Sequence, residues 1–242
     1  MNNQNITFIF FGIFLGLWIV ILLLDRKSYL LRDSSSGDSR PFSWSRVQMT
    51  WWTVIILTAF VTAIVRTRGV IPVLDNSTLY MLGISSVTTI SATLIDVSDR
   101  SNPTITHFAQ DMKSAGMIID ILSDKTGINI HRLQTFFFNI IFGVWFMYES
   151  LQHLFIPPAC TSLVSLSDTK AFVECLTAYA NSVMPVIAPN NLVLLAASSG
   201  LYAALKTTEN KQPTGAVATS SPEENDDTTS ESVLPQANTI LG

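Results

Sequence analysis

Residues 6–24 read ITFIFFGIFLGLWIVILLL, nineteen consecutive residues without a charge. A helix of that length rises about 28 Å, close to the roughly 30 Å of a bilayer's hydrocarbon core. Asp25-Arg26-Lys27 follows directly, and neither a basic leader nor a small-x-small cleavage site flanks the run. That pattern predicts a retained anchor, not a removable signal peptide. Four more apolar runs lie downstream, over 47–65, 79–95, 133–155 and 189–205. The last is short and needs tilting or local thinning of the bilayer. The expectation is an all-α, polytopic membrane protein with five transmembrane helices.

Composition agrees with this. The 242-residue chain is 48% hydrophobic, 13% charged and has a mean hydropathy of +0.38. Soluble domains carry about 25% charged residues, so this chain has roughly half the usual complement. No basic patch interleaved with aromatics is present, which argues against nucleic acid as a partner.

Lys and Arg decide the orientation. Segments 25–46, 96–132 and 206–242 hold eleven of them, against Arg66, Arg68 and Lys170 on the other side. The N-terminus is therefore expected outside and the C-terminus in the cytoplasm. That topology puts Cys160 and Cys175 together in the outer loop 156–188, where a disulfide persists.

An internal repeat organises the remainder. Phe42-Ser43-Trp44-Ser45-Arg46-Val47-Gln48 aligns with Ile128-Asn129-Ile130-His131-Arg132-Leu133-Gln134 at an offset of 86. Each copy reads as a helix start, with Ser43 or Asn129 as N-cap and an apolar staple across it. Leu82-Gly83-Ile84-Ser85-Ser86 aligns with Leu195-Ala196-Ala197-Ser198-Ser199 at an offset of 113. The difference of 27 residues is an insertion in the second copy's outer loop. The predicted organisation is an anchor and linker (1–41), a first hairpin (42–95), a cytoplasmic link (96–127), a second hairpin (128–206) and a disordered tail (207–242). Within the link, 106–122 reads as one amphipathic helix. The outer insertion reads as a helix from about Ser167, with Ala171, Phe172, Cys175, Leu176 and Tyr179 on one face. An even number of crossings per copy makes this a parallel repeat, with the hairpins expected around a pseudo-two-fold along the membrane normal.

The helix-start motif Arg46/Gln48 and Arg132/Gln134, the Leu82–Ser86 span, and Asp120-Ile121-Leu122-Ser123-Asp124 ahead of His131-Arg132 carry a resemblance. Over roughly 42–206 the chain resembles a group of uncharacterised bacterial multi-span membrane proteins. The likeness implies a bacterial inner-membrane protein and brings no established activity with it. Ala196-Ala197, in place of Gly-Ile, and the long outer insertion depart from the group's pattern.

Few residues suggest chemistry. Ser85, Thr89, Ala92 and Asp96 share one face of the third span, joined by Ser86 and, in the second copy, by Ser198 and Ser199. These residues suit either a hydroxyl-lined pore or close helix packing, and packing is the commoner use of small and hydroxyl residues in membranes. Glu149 is the one carboxylate expected within the hydrocarbon, and it reads either as an ion-pair partner of Arg66 or as a headgroup-level carboxylate. Trp44, Trp51 and Trp52 read as an interfacial belt, and Gly12-x-x-x-Gly16 as a weak dimer face. Ala197-Ser198-Ser199-Gly200 with His153 superficially resembles a rhomboid-type nucleophile site, but the first glycine is missing and the span count differs. No zinc motif, phosphate loop or cofactor signature occurs. The leading expectation is a non-enzymatic membrane subunit that assembles with itself or with other membrane or cytoplasmic proteins. A homo-oligomeric channel lined by the third span is the alternative, and an intramembrane hydrolase a distant third.

Overall fold

The computed structural model describes residues 2–33, 40–105, 113–124, 127–156, 160 and 169–211. They are mostly helical, in the order α1 (Asn3–Ser28), α2 (Trp44–Arg66), α3 (Asn76–Ser101), α4 (Met117–Leu122), α5 (Ile130–Phe155), α6 (Thr169–Ser182) and α7 (Pro189–Glu209). A two-residue β-hairpin, β1 (Ser123–Asp124) with β2 (Gly127–Ile128), separates α4 from α5. Three helices, α1, α2 and α3, are long and apolar enough to cross a membrane. α5 has the same 26 residues as α1 but dilutes its apolar face with Asn139, Glu149 and aromatics. At 1.5 Å per residue the 21 residues of α7 reach about 32 Å.

The helix starts fall where the repeat placed them. Ser43 caps α2 and Asn129 caps α5, 86 residues apart. Asn129 caps with its side chain, accepting from the His131 N–H at 2.9 Å. Asp75 does the same for α3 through the Ser77 N–H, and this hydrogen bond holds its carboxyl below the ordinary carboxylate range.

The arrangement of the two hairpins departs from the two-fold expected. An axis between them would set each helix diagonally across from its counterpart. Here counterparts are neighbours: α2 lies beside α5 and α3 beside α7, while α2–α3 and α5–α7 close the ring. Trp51 and Trp52 of α2 both donate to Asn139 of α5, 88 and 87 positions on. Asn210 donates to Asp99, and the Ile187 N–H to Ser77, at separations of 111 and 110. These spacings fall within a turn of the sequence offsets of 86 and 113. The copies are therefore shifted sideways, nearly level, into a layer of α2 and α5 and a layer of α3 and α7. α1 packs on the first layer, burying Ile6 and Phe10.

Trp44 and Trp52 are buried and Trp51 is half-buried, so the three tryptophans belong to the interior and do not form a belt. Trp52 packs edge-on against Phe146, its ring centroid 6.3 Å away. A buried indole needs a hydrogen-bond partner, and Asn139 supplies one for Trp52 at 2.7 Å and one for Trp51 at 3.1 Å.

Other expectations change as well. The amphipathic helix over 106–122 shrinks to α4, which begins after Gly116 at φ 111°, a left-handed conformation that breaks any longer helix. Its expected first part, 106–112, lies outside the described residues, as does the tail from 212 onward. Residues 207–209, assigned to that tail, continue α7. The Cys160–Cys175 disulfide is present and ties α6 to Cys160, a few residues beyond the end of α5. Behind α6, Val183, Met184 and Ile187 are buried in the main core.

Gly143 marks the closest approach of α2 and α5, where any Cβ would run into the Trp51 ring. Gly143→Ala is expected to displace that indole from the Asn139 carbonyl and cost about 1–3 kcal/mol, as overpacking does. Gly16→Ala, with open space around it, should leave the melting temperature unchanged. Thermal unfolding of both variants in the same detergent checks the contrast.

Candidate functional site

The third span's polar face turns inward. Ser85, Thr88, Ala92, Asp96 and Asp99 form one buried stripe of α3. Thr89 Oγ1 donates to the Ser45 carbonyl of α2 at 3.1 Å and to its own helix at the Ser85 carbonyl, 2.9 Å. Ser85 Oγ is buried without a hydrogen-bond partner, and Ser86 is half-buried. In the second copy, Ser198 Oγ donates to Thr135 Oγ1 at 2.8 Å, and Ser199 Oγ accepts from Gln48 Nε2 at 2.9 Å. The two motif glutamines part company: Gln48 is buried in this network and Gln134 is exposed.

Ser199 is not brought near His153. Ser198 is level with Thr135, and His153 lies eighteen residues further along α5, about 27 Å away. The expected Glu149–Arg66 pair is also absent. Glu149 Oε1 instead lies 3.6 Å from His153 Nε2, one turn on in the same helix, and Arg66 Nε is buried with no hydrogen-bond partner. The Glu149 side chain is 38% exposed, so it calls for no partner from the other hairpin.

The ionised groups gather instead at the expected cytoplasmic end of the bundle. Lys206, 6% exposed on α7, holds Asp96 of α3 at 3.0 Å and Asp33 at 3.5 Å. Arg132 donates through Nη2 to Glu209 Oε1 at 2.8 Å and through Nη1 to the Ser123 carbonyl at 2.6 Å. The Arg132 guanidinium also sits 5.5 Å from the centre of the buried Tyr202 ring. One turn below Lys206, Asn210 is bonded to Asp99 at 2.8 Å.

Short local devices deliver these groups. Tyr29 adopts a left-handed cap at the end of α1, and Asp25 accepts from the Leu31 N–H at 2.8 Å, turning the chain back. Residues 31–33 then pair with 41–43 through Ser43 N–H to Leu31 O and Asp33 N–H to Pro41 O, each 2.9 Å. That pairing swings Asp33 toward Lys206. Asp120 accepts from the N–H groups of Phe42 and Ala115 and from Ser114 Oγ, fastening α4 beneath the start of α2. Asn129 Nδ2 donates to Asp124 at 2.7 Å, which fixes the β-hairpin against α5.

Together these segments enclose a cavity of about 420 Å³. Asp33, Asp120, Asp124 and Glu209 with Lys113, Arg132 and Lys206 supply its charge, and Phe42, Trp44 and Tyr202 its apolar wall. The stretch Asp120–Asp124, noted in the sequence without a role, forms one side. Asp33, Lys206, Glu209 and Asn139 were missed. In the sequence, Lys206 counts only as a cytoplasmic charge, and Asp33 sits in a polar linker with nothing to mark it. Among the described residues no group of three His, Cys, Asp or Glu side chains could hold a metal ion. Each buried cation meets a carboxylate, so the cluster's evident chemistry is ion pairing between elements distant in sequence.

No protein-family model, no curated protein and no solved structure matches this chain.

Removing one partner of a buried ion pair commonly costs about 3–5 kcal/mol, because the other charge is left without compensation. Lys206→Met leaves Asp33 and Asp96 facing one another. A marked fall in melting temperature is expected, partly recovered in Lys206→Met/Asp96→Asn. If the single variant melts like the parent, the cluster is not holding the bundle together.

Proposed function

We propose that the chain is a non-enzymatic, five-span subunit of the bacterial inner membrane that anchors or assembles other proteins. In this reading α1, α2, α3, α5 and α7 all cross the bilayer, with the N-terminus outside and the charged cavity at the cytoplasmic face.

The inward turn of α3 carries the proposal. The side chains best suited to line a solute path are spent on helix–helix contacts. Tyr80, Val87, Ile90, Leu94 and Val97 are what α3 presents outward. A ring of copies lined by that face would be apolar. On the cytoplasmic side, Ile118, Ile119, Ile128 and Ile130 are exposed on α4, β2 and the start of α5, and Ile119 also lines the cavity. Apolar side chains grouped in this way suit a partner or the lipid interface better than open water.

Affinity purification from native membranes in mild detergent is expected to retain a specific partner. Ile118→Asp with Ile119→Asp should release it while the melting temperature stays unchanged. The purified chain in liposomes should pass no ions or dye. Conductance that grows with protein content and is blocked by Thr89→Trp would put the channel reading in its place. Reporter fusions after Lys211 should be active in the cytoplasm, and an extracytoplasmic signal there would reverse the orientation.

A further inference from the structure

We infer that the groove between α3 and α7 seats α1 of a second copy, so that the protein assembles head to tail in the plane of the membrane. This rests on the assembly reading above and names its first partner.

The two layers of the bundle are not treated alike. The α2–α5 layer is covered by α1, whereas the α3–α7 layer carries a groove of about 540 Å³. Tyr80, Gly83 and Val87 form one wall and Val193, Ala196 and Gly200 the other. The groove holds no charged side chain. Two of its four hydroxyl side chains, Thr88 and Ser199, already have partners, and apart from Tyr80 and Ser91 the rest of its lining is apolar. An added Cβ on Gly83 or Gly200 would meet nothing within 4 Å, so there is room for side chains from outside.

α1 offers the matching ridge. It is the most apolar of the three membrane-length helices, yet only 11% of its core window is buried. Phe8, Gly12, Leu15, Ile19 and Leu22 recur at steps of four, three, four and three residues. The large ones among them are all exposed, Phe8 at 76%. That is the seam spacing by which one helix inserts knobs between the side chains of another. Gly12 supplies a notch where backbones can approach closely.

Orientation is consistent with this pairing. α1, α3 and α7 run the same way across the bilayer in the proposed topology, so the contact between copies is parallel. α1 and the groove lie on opposite faces of the bundle, so one copy cannot fill its own groove. A contact between unlike faces extends to a row or closes as a ring, and it does not form an isolated two-fold dimer.

Phe14 and Trp18 of α1 pack on Trp51, and Gln48, about one turn back along α2, bonds Ser199, so Leu15 lies near the depth of Ala196 in the groove. The full-length Leu15→Cys/Ala196→Cys variant, oxidised in native membrane vesicles, should give a ladder of dimers and larger multimers on a non-reducing gel. Either single variant should give severalfold less product. Gly83→Leu with Gly200→Leu, filling the groove, should abolish assembly as measured by mass in nanodiscs while leaving helicity by circular dichroism intact. Dimers from Leu15→Cys alone would mean that α1 pairs with α1, and would overturn the inference. So would folded, monomeric protein without cross-links, in which case a lipid chain fills the groove. If a different protein still co-purifies in that case, the assembly reading stands and only its self-association is lost.

Discussion

A lysine ammonium shut off from solvent has to be neutralised, and the way Lys206 is neutralised sets the register of this bundle. Its bond to Asp96 aligns α7 with α3 at a separation of 110 residues. Asn210–Asp99 and Ile187–Ser77 repeat that alignment at 111 and 110, one near each end of the pair. A slip by one residue would break all three at once. The same ammonium reaches Asp33, which lies between α1 and α2, so the linker after α1 is tied to the end of α7. Arg132 and Glu209 extend the tie to α5. Hydrophobic contacts cannot specify register this sharply, because apolar faces tolerate sliding and a buried charge does not.

With register fixed, the sideways relation of the two hairpins has a structural consequence. Helix pairs related by a two-fold would share one central interface. Pairs related by a shift make two layers of parallel neighbours, and each layer presents an outer groove. α1 fills one of these. It does so with Ile6, Phe10 and Phe14, the last edge-on to Trp51. The asymmetry between covered and uncovered layers comes from one helix being added to a duplicated four-helix unit. The sideways shift also explains the divergence of the repeat motif: a direction that points into the ring from α2 points out of it from α5, so Gln48 bonds Ser199 whereas Gln134, its counterpart, is exposed.

Much of this was legible in the sequence, for identifiable reasons. The helix start at Asn129 follows from local capping chemistry, which needs no tertiary knowledge, and Ser43 holds the matching position before α2 without a side-chain cap. The disulfide followed from two cysteines in one loop. What failed depended on which way a side chain faces. Tryptophans near the end of an apolar run read as a belt, but Asn139, a polar residue inside α5, could satisfy two indoles and drew them inward. Glu149 had a suitable neighbour within its own helix at His153, which an argument about depth alone overlooked. The two-fold was inferred from parity of crossings, and parity fixes the direction of the copies without fixing their placement. Asp33 and Lys206, 173 positions apart, had no sequence signal linking them.

The hydroxyl-rich third span shows most directly why composition is a poor guide to wetness in a membrane. Thr88 donates to the Ile84 carbonyl, Thr89 to Ser85 and Thr93 to Thr89, each four residues back along the helix. A threonine satisfied in this way makes no demand for water and faces apolar neighbours at little cost. Crowding of such residues therefore carries no information about a pore until one knows which hydroxyls lack a local carbonyl. Asp96 differs in kind, since no backbone carbonyl can satisfy a carboxylate. It required a donor from another element, and Lys206 is that donor. The carboxylates and the lysine, more than the hydroxyls, are where the sequence commits to a particular assembly of helices. They sit together at one end of the bundle, beside the cavity that the Asp120–Asp124 stretch closes.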